Sequence, residues 1–296
     1  MIRIGMVGSD NSHADAFSQL CNLSRDPRFK GQAVSGARVT HLFGIPEHEA
    51  RTQEVAANNR IPHIVREVRE MIGQVDAAMV VFRHGGLHLK YAKPLIEAGI
   101  PCFVDKPMTC SVKEAKALLS LAKRKNCPIT SFSTYRISKD TADLARALQQ
   151  IGPITAGTLT GPCDIASEYG GLFFYGVHVV ELMLALFGTG VKSVQATTHK
   201  GNTVGIVRYK TDRIVTLNLL YNAQYVFHIL AFGKQGWKAH LPDGAGLYPQ
   251  GLRLFLKMVK TGERPFSDAE LLEPVQIMAA LQQSLATGQE VALSEV

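Results

Sequence analysis

A lysine directly after a carboxylate, a histidine inside an apolar run, and a turn rich in small hydrogen-bonding side chains are residue types that can hold an anion and move a proton. Here they stand as Asp105-Lys106-Pro107, as His178, and as Gly8-Ser9-Asp10-Asn11-Ser12-His13. The lysine closes the apolar run Cys102-Phe103-Val104, and a desolvated ammonium beside a reacting oxygen can polarise a substrate hydroxyl and help its deprotonation. Lys106 equally suits a surface cation paired with Asp105, and His178 a satisfied core histidine. The turn after the first apolar run lies where a dinucleotide-binding fold places G-x-G-x-x-G around a pyrophosphate. Only Gly8 is a glycine; Asp10 and His13 fill the other two positions, and a carboxylate there is unfavourable beside phosphates. Ser9, Asn11 and Ser12 can meet phosphate oxygens, and a helix beginning there offers free N–H groups. A plain strand–turn–helix corner with Asn11 or Ser12 as N-cap explains the same residues.

Further along, Phe82-Arg83-His84-Gly85-Gly86, with His88 four residues after His84, falls at the carboxyl end of another strand, where open α/β sheets bind ligands. Arg83, His84 and His88 are therefore candidate cofactor contacts. Two histidines without an adjacent carboxylate are too few for a zinc site, so no metal is expected. His88 also suits helix packing. The second strand ends in Phe43-Gly44-Ile45-Pro46, with neither the acid that holds an NAD ribose nor an arginine for an NADP 2′-phosphate.

These residues need a scaffold, and the hydrophobic periodicity supplies one. Strand-like runs at 2–7, 38–43, 77–82, 101–104 and 129–132 alternate with helical stretches at 14–23, 47–58, 87–98 and 112–125, the pattern of a doubly wound parallel sheet. Beyond residue 136 the order changes. A helix at 138–150 precedes strands at 154–159, 191–198, 203–209, 214–221 and 225–232, interrupted by an apolar helix at 176–187 and closed by helices at 249–260 and 268–286. This predicts an α/β fold: a Rossmann-like domain over 1–131 and an α+β domain with an open antiparallel sheet over 132–296, the last helix packing back on the first domain and the active cleft between the two.

The 296 residues are 46% hydrophobic and 19% charged, which excludes a disordered or fibrous chain. The formal charge of +7 is spread without a basic block, so no nucleic-acid partner is expected. The absence of a long apolar run and of a leader pattern predicts no membrane segment. Five scattered cysteines without a C-x-x-C pair point to a reducing, cytoplasmic setting.

The stretch from Val75-Asp76 to Pro107 resembles the Gfo/Idh/MocA oxidoreductases (glucose-fructose oxidoreductase, inositol dehydrogenase and relatives), whose pattern is V-D-x-V, a strand, an H-containing helix, A-G-x-x-V and E-K-P. Asp105 stands for the glutamate. The resemblance continues in Tyr135-Arg136, which is similar to N-x-R-[YF], and in Gly170-Gly171 through Gly176-Val177-His178, which is similar to G-G-G-x-x-x-D-x-G-x-H. The closing stretch 281–293 resembles A-x-x-S-x-x-x-G-x-x-V. The resemblance implies an enzyme: an NAD- or NADP-dependent oxidoreductase acting on a small polyol, sugar or related hydroxy compound. Lys106 and His178 would be catalytic, and Asp105 would position the lysine or the nicotinamide. Arg136 could meet a substrate carboxylate or phosphate. Phe174 replaces the family aspartate, so Tyr175, Asp164 or Glu168 would take its place at the substrate, or the reaction differs. An uncovered sheet face implies a homodimer or homotetramer. Two other readings stay open: a cofactor-retaining enzyme acting on glycosidic groups, and a regulatory ligand-binding protein on the same scaffold.

Overall fold

A computed structural model describes residues 1–23, 32–244 and 246–296, divided into two compact units. The first holds Met1–Thr109, Lys113–Phe132 and Gly246–Asp268, and the second Cys110–Val112, Ser133–Ala245 and Ala269–Val296.

In the first unit, β1 (Ile2–Val7), β2 (Ala37–Phe43), β3 (His63–Val65), β4 (Ala77–Val80), β5 (Cys102–Val104) and β6 (Ile129–Thr130) form one sheet in the order β3-β2-β1-β4-β5-β6. All its pairings are parallel. This is the doubly wound Rossmann order, with the switch point between β1 and β4. Every residue of β4 is buried, as a central parallel strand with both faces covered requires. Helices α1 (Ser12–Asn22), α2 (Glu49–Asn58), α3 (His88–Glu97) and α4 (Val112–Arg124) connect the strands. The strand β3 has no counterpart among the expected elements, because only Val65 of its three residues is buried and its sequence carries little pattern.

The segment that returns to the first unit is Gly246–Asp268, carrying α7 (Leu247–Thr261). Helix α8 (Asp268–Thr287) belongs to the second unit apart from its first residue. Aromatic contacts explain the return of α7. Tyr248 meets the rings of His13 and Phe17 at 5.2 and 5.6 Å, and Phe255 meets Phe103 at 6.1 Å.

The second unit is built on β7 (Ile154–Pro162), β8 (Val191–His199), β9 (Asn202–Tyr209), β10 (Ile214–Leu220), β11 (His228–Gly233), β12 (Gly236–His240) and β13 (Val291–Ala292), ordered β12-β11-β7-β10-β9-β8-β13. The β7–β10 pair is parallel and the other pairs antiparallel. The strands alternate buried and part-exposed residues, so one face is core and the other open. The core face packs on α6 (Leu172–Phe187), and α5 (Lys139–Leu148) packs on α6 in turn. All five cysteines are free, and burial pushes the Cys21 and Cys163 thiols up to about 12 and Cys127 up to about 11. Among the described residues, no helix is long and apolar enough to cross a membrane.

Candidate active site

In the first unit the strand exits of β1, β4 and β5 converge. Gly8 turns the chain out of β1 with φ +106°, and a Cβ there would stand 2.8 Å from the Phe82 amide nitrogen, so only glycine lets the two exits lie this close. The following turn folds its side chains inward. Ser9 is fully buried with its hydroxyl 2.8 Å from Thr52 Oγ1. Asp10 Oδ2 accepts from the Arg83 amide at 3.1 Å, while Arg83 Nη2 donates to the Asp10 carbonyl at 2.8 Å. Asn11 caps α1, its Oδ1 accepting from His13 N, and its Nδ2 donates to Asp105 at 3.2 Å. Ser12 is exposed at the first position of the helix.

Asp105 lies at the exit of β5, 1% exposed, with Oδ2 2.5 Å from His13 Nδ1 and Oδ1 accepting from the Lys106 amide at 2.8 Å. Burial alone raises this carboxyl. The facing His13, Lys106 and His88 outweigh it and hold the group below its ordinary value. Asp105 is thus a carboxylate that fixes both the turn and the main chain of Lys106. The Lys106 side chain is itself buried.

Two expected cofactor contacts are corrected here. His88 is fully buried: Nδ1 lies 2.9 Å from the Pro107 carbonyl and Nε2 2.9 Å from the Phe82 carbonyl. Burial, the dominant cause, lowers its pKa. His88 ties the β4 exit to the segment after Lys106 and is not placed to touch a ligand. Ser9 likewise offers its main chain only, because its hydroxyl is held by Thr52. His84 caps the short turn at Gly85–Leu87, its Nδ1 accepting from Gly86 N at 2.9 Å.

At the exit of β2 a cavity of about 300 Å³ is lined by residues that include Gly44, Ile45, Pro46, Glu49, Ile64 and Arg66. Apolar walls with one acid and one base suit the adenosine end of a dinucleotide, and the position at the carboxyl edge is where this fold binds it. The chain therefore fits the cofactor. Gly44 is itself required: a Cβ there would fall 1.9 Å from Thr52 Oγ1 and 2.7 Å from Ser9 Oγ. A side chain at this position would force Thr52 and Ser9 to shift.

The second unit holds His178 on α6. Its Nδ1 lies 2.7 Å from Ser133 Oγ, and the rings of Tyr175, Tyr135 and Phe227 surround it at 5.5, 5.9 and 6.1 Å. Tyr225 extends this aromatic wall, 5.6 Å from Phe227 and largely exposed. Phe174 packs on Tyr169 and Tyr175 at 5.1 and 4.9 Å, continuing the wall where the family aspartate was expected. Asp164 and Glu168 are exposed on the preceding loop, and Asp164 Oδ1 accepts from Ala166 N within its own turn. One turn beyond His178, Glu181 accepts from Ser133 N at 3.0 Å and lies 3.6 Å from Arg136, both side chains deeply buried. The expected substrate contact of Arg136 is corrected accordingly, because its charge is matched inside the unit by Glu181. Ser133 and Thr52 escaped the sequence reading, which has no periodic signal for a lone hydroxyl. Glu181 had one, as the single charged residue of an apolar helix three positions from His178. Among the described residues, no three His, Cys, Asp or Glu side chains could hold a metal ion.

Comparison with known proteins fits this geometry. Residues 2–132 match the oxidoreductase family with the NAD-binding Rossmann fold, Gfo/Idh/MocA. The chain is 26% identical over 167 residues to the uncharacterized oxidoreductase YhhX of Escherichia coli, a match covering 51% of this chain and 46% of YhhX. The chain thus spans less than half of that relative. It is 24% identical over 255 residues to inositol 2-dehydrogenase of Acidothermus cellulolyticus, covering 78% of this chain and 69% of that protein. Scyllo-inositol dehydrogenase from Lactobacillus casei, solved with NAD(H) and scyllo-inositol, shares the fold with a TM-score of 0.83 over 99% of both chains at 14% identity.

Proposed function

We propose that this protein is a nicotinamide-dependent oxidoreductase that interconverts a hydroxyl and a carbonyl on a polyol, sugar or related compound. The observation that carries the reading is the buried Lys106 at the carboxyl edge of a Gfo/Idh/MocA Rossmann sheet, beside a carboxylate bonded to the cofactor turn. When bound, a nicotinamide dinucleotide supplies the hydride chemistry. The cavity at Gly44 and Arg66 holds its adenosine end, and the main chain of the 8–12 turn with Arg83 and His84 lies toward its phosphates. With glycine at position 44, the choice between NAD and NADP is not made there.

In its neutral amine form Lys106 Nζ takes the proton of the substrate hydroxyl, and the resulting ammonium returns it in the reverse direction. His178 is the second proton-handling group, its ring orientation fixed through Nδ1 by Ser133, so that Nε2 serves the substrate. Tyr175 and the neighbouring rings give an apolar, electron-rich wall that receives the C–H face of a sugar or cyclitol. Asp164 and Glu168, on the exposed loop before α6, are the remaining carboxylates for substrate hydroxyls. We further assign the open face of the second sheet to a second copy of the chain. Its paired rows run Leu230, Thr158, Thr216, Ile206 and Trp237, Phe232, Ala156, Ile214, with Trp237 64% exposed. Such a face is costly in water. The protein is read as cytoplasmic.

The test is a fluorescence titration with NADH and NADPH, followed by a polyol and sugar panel read at the nicotinamide absorbance. The native protein binds at least one cofactor and turns over a panel member, and Lys106→Met keeps binding while losing turnover. Failure of both cofactors to bind refutes the reading.

A further inference from the structure

Every polar side chain of the 9–13 turn except Ser12 reaches to a different part of the same unit. Ser9 meets Thr52 on α2, Asp10 meets the main chain of Arg83 after β4, and Asn11 and His13 meet Asp105 after β5. Two of these residues, Asp10 and His13, stand where the dinucleotide fingerprint has its second and third glycines. Those glycines clear space for a ligand and for close helix packing. Here the space is cleared differently: each side chain is folded inward and anchored. The Asp10 carboxylate is turned to the Arg83 amide, and among the described residues its other oxygen is buried without a hydrogen-bond partner. The His13 ring is 8% exposed, packed edge-on against Phe17 and Tyr248 and bonded to Asp105. Asp105 is one methylene shorter than the family glutamate, and the imidazole of His13 supplies its partner in the turn.

We propose that Asp10 and His13 are positioning residues of the cofactor turn, substituting side-chain anchors for two glycines. Asp10 fixes the turn to the β4 exit, and His13 fixes it through Asp105 to the main chain of Lys106. This assignment rests on the cofactor reading above and reverses the simplest expectation from the sequence, in which restoring glycine would restore binding. A charge-assisted anchor holds the amides in one conformation, whereas glycine frees the backbone of the turn.

The experiment compares native protein with Asp10→Gly, Asp10→Asn, His13→Gly and His13→Asn. Affinities for NADH and ADP-ribose are measured by fluorescence and calorimetry, with adenosine as the ligand lacking phosphate and a thermal melt on each variant. Each glycine variant is expected to bind NADH and ADP-ribose about tenfold more weakly, the equivalent of about 1.4 kcal/mol, with adenosine unchanged. The asparagine variants retain the anchoring atom, an acceptor for Arg83 N or a donor for Asp105, and are expected within about twofold of native. They keep the test decisive should a glycine variant fail to fold. Equal or tighter binding by either glycine variant overturns the proposal, as does tenfold loss in both asparagine variants. Binding of neither NADH nor NADPH by the native protein overturns the cofactor reading itself, an outcome distinct from either.

Discussion

An aspartate at position 44 would restore the acid in which the second strand of an NAD-binding sheet commonly ends, and the geometry expects harm from it. The Cβ alone would stand 1.9 Å from Thr52 Oγ1, 2.7 Å from Ser9 Oγ and 3.1 Å from Thr52 Cβ. Thr52 cannot swing aside cheaply. It is 4% exposed and β-branched, and its hydroxyl both meets Ser9 Oγ and donates to the His48 carbonyl at 2.9 Å. Overpacking of this kind costs about 1–3 kcal/mol. The two buried hydroxyl contacts it would break add roughly 1 kcal/mol each. A total of about 3–5 kcal/mol lowers the melting temperature by roughly 6–20 °C for a unit of this size. The perturbation is best made first as Gly44→Ala, then as Gly44→Asp, and finally as Gly44→Ala with Thr52→Ala. The double variant removes the closest atom and should recover the overpacking part of the loss, about 1–3 kcal/mol, but not the two hydroxyl contacts of Thr52. Thermal melts and NADH titrations read all three. A Gly44→Ala protein melting with the native one, or a Gly44→Asp protein binding NADH more tightly at undiminished stability, would refute the packing argument.

Three further outcomes follow from buried polar groups. Arg136→Met strands Glu181 in the core and should cost about 3–5 kcal/mol of unfolding free energy, read by urea denaturation, with Arg136→Met/Glu181→Gln regaining most of it; equal loss in the double variant would contradict the pairing. Because the Asp105 carboxyl is held below its ordinary value, its contribution is in place above the ordinary carboxyl range of about pH 4 and is lost as pH falls through the lower folded value. Asp105→Asn should therefore be less stable at pH 7 and show a flatter acid limb below about pH 5, and an unchanged limb would speak against it. Ser133→Ala should lower kcat by about fivefold with KM little changed, the weight of one hydrogen bond near 1 kcal/mol to His178 Nδ1; an unchanged kcat would leave Ser133 a packing residue only.

What the sequence made legible was whatever repeats or punctuates. The alternation that predicted the parallel sheet survives in detail because β1 and β4 are buried on both faces and read as continuous apolar runs. Short edge strands such as β3, β12 and β13 carry two to five residues and no such run, and they went unread. Asp105-Lys106 was visible as a charged pair closing an apolar strand, and His178 as a polar residue in an apolar helix. Thr52, Ser133 and Tyr248 were not, because a hydroxyl or ring acquires its role only when a distant segment arrives beside it. The same reasoning explains His88 and Arg136. Each stood where a ligand contact was plausible, and each proved to be consumed by main-chain carbonyls or a buried carboxylate that no local pattern announces.

The return of α7 to the first unit bears on how the chain is made. A nascent protein emerges from its N-terminus, and domains generally fold as units in that order. Here the Rossmann unit lacks Tyr248 and Phe255 until residues 247–261 have been synthesised, so the aromatic cluster of Phe17 and Phe103 waits while the strands up to β12 appear. The first unit to begin is therefore not the first to be completed. A ribosome-stalled chain ending near residue 240 would carry that cluster uncovered, a natural attachment point for a holdase chaperone.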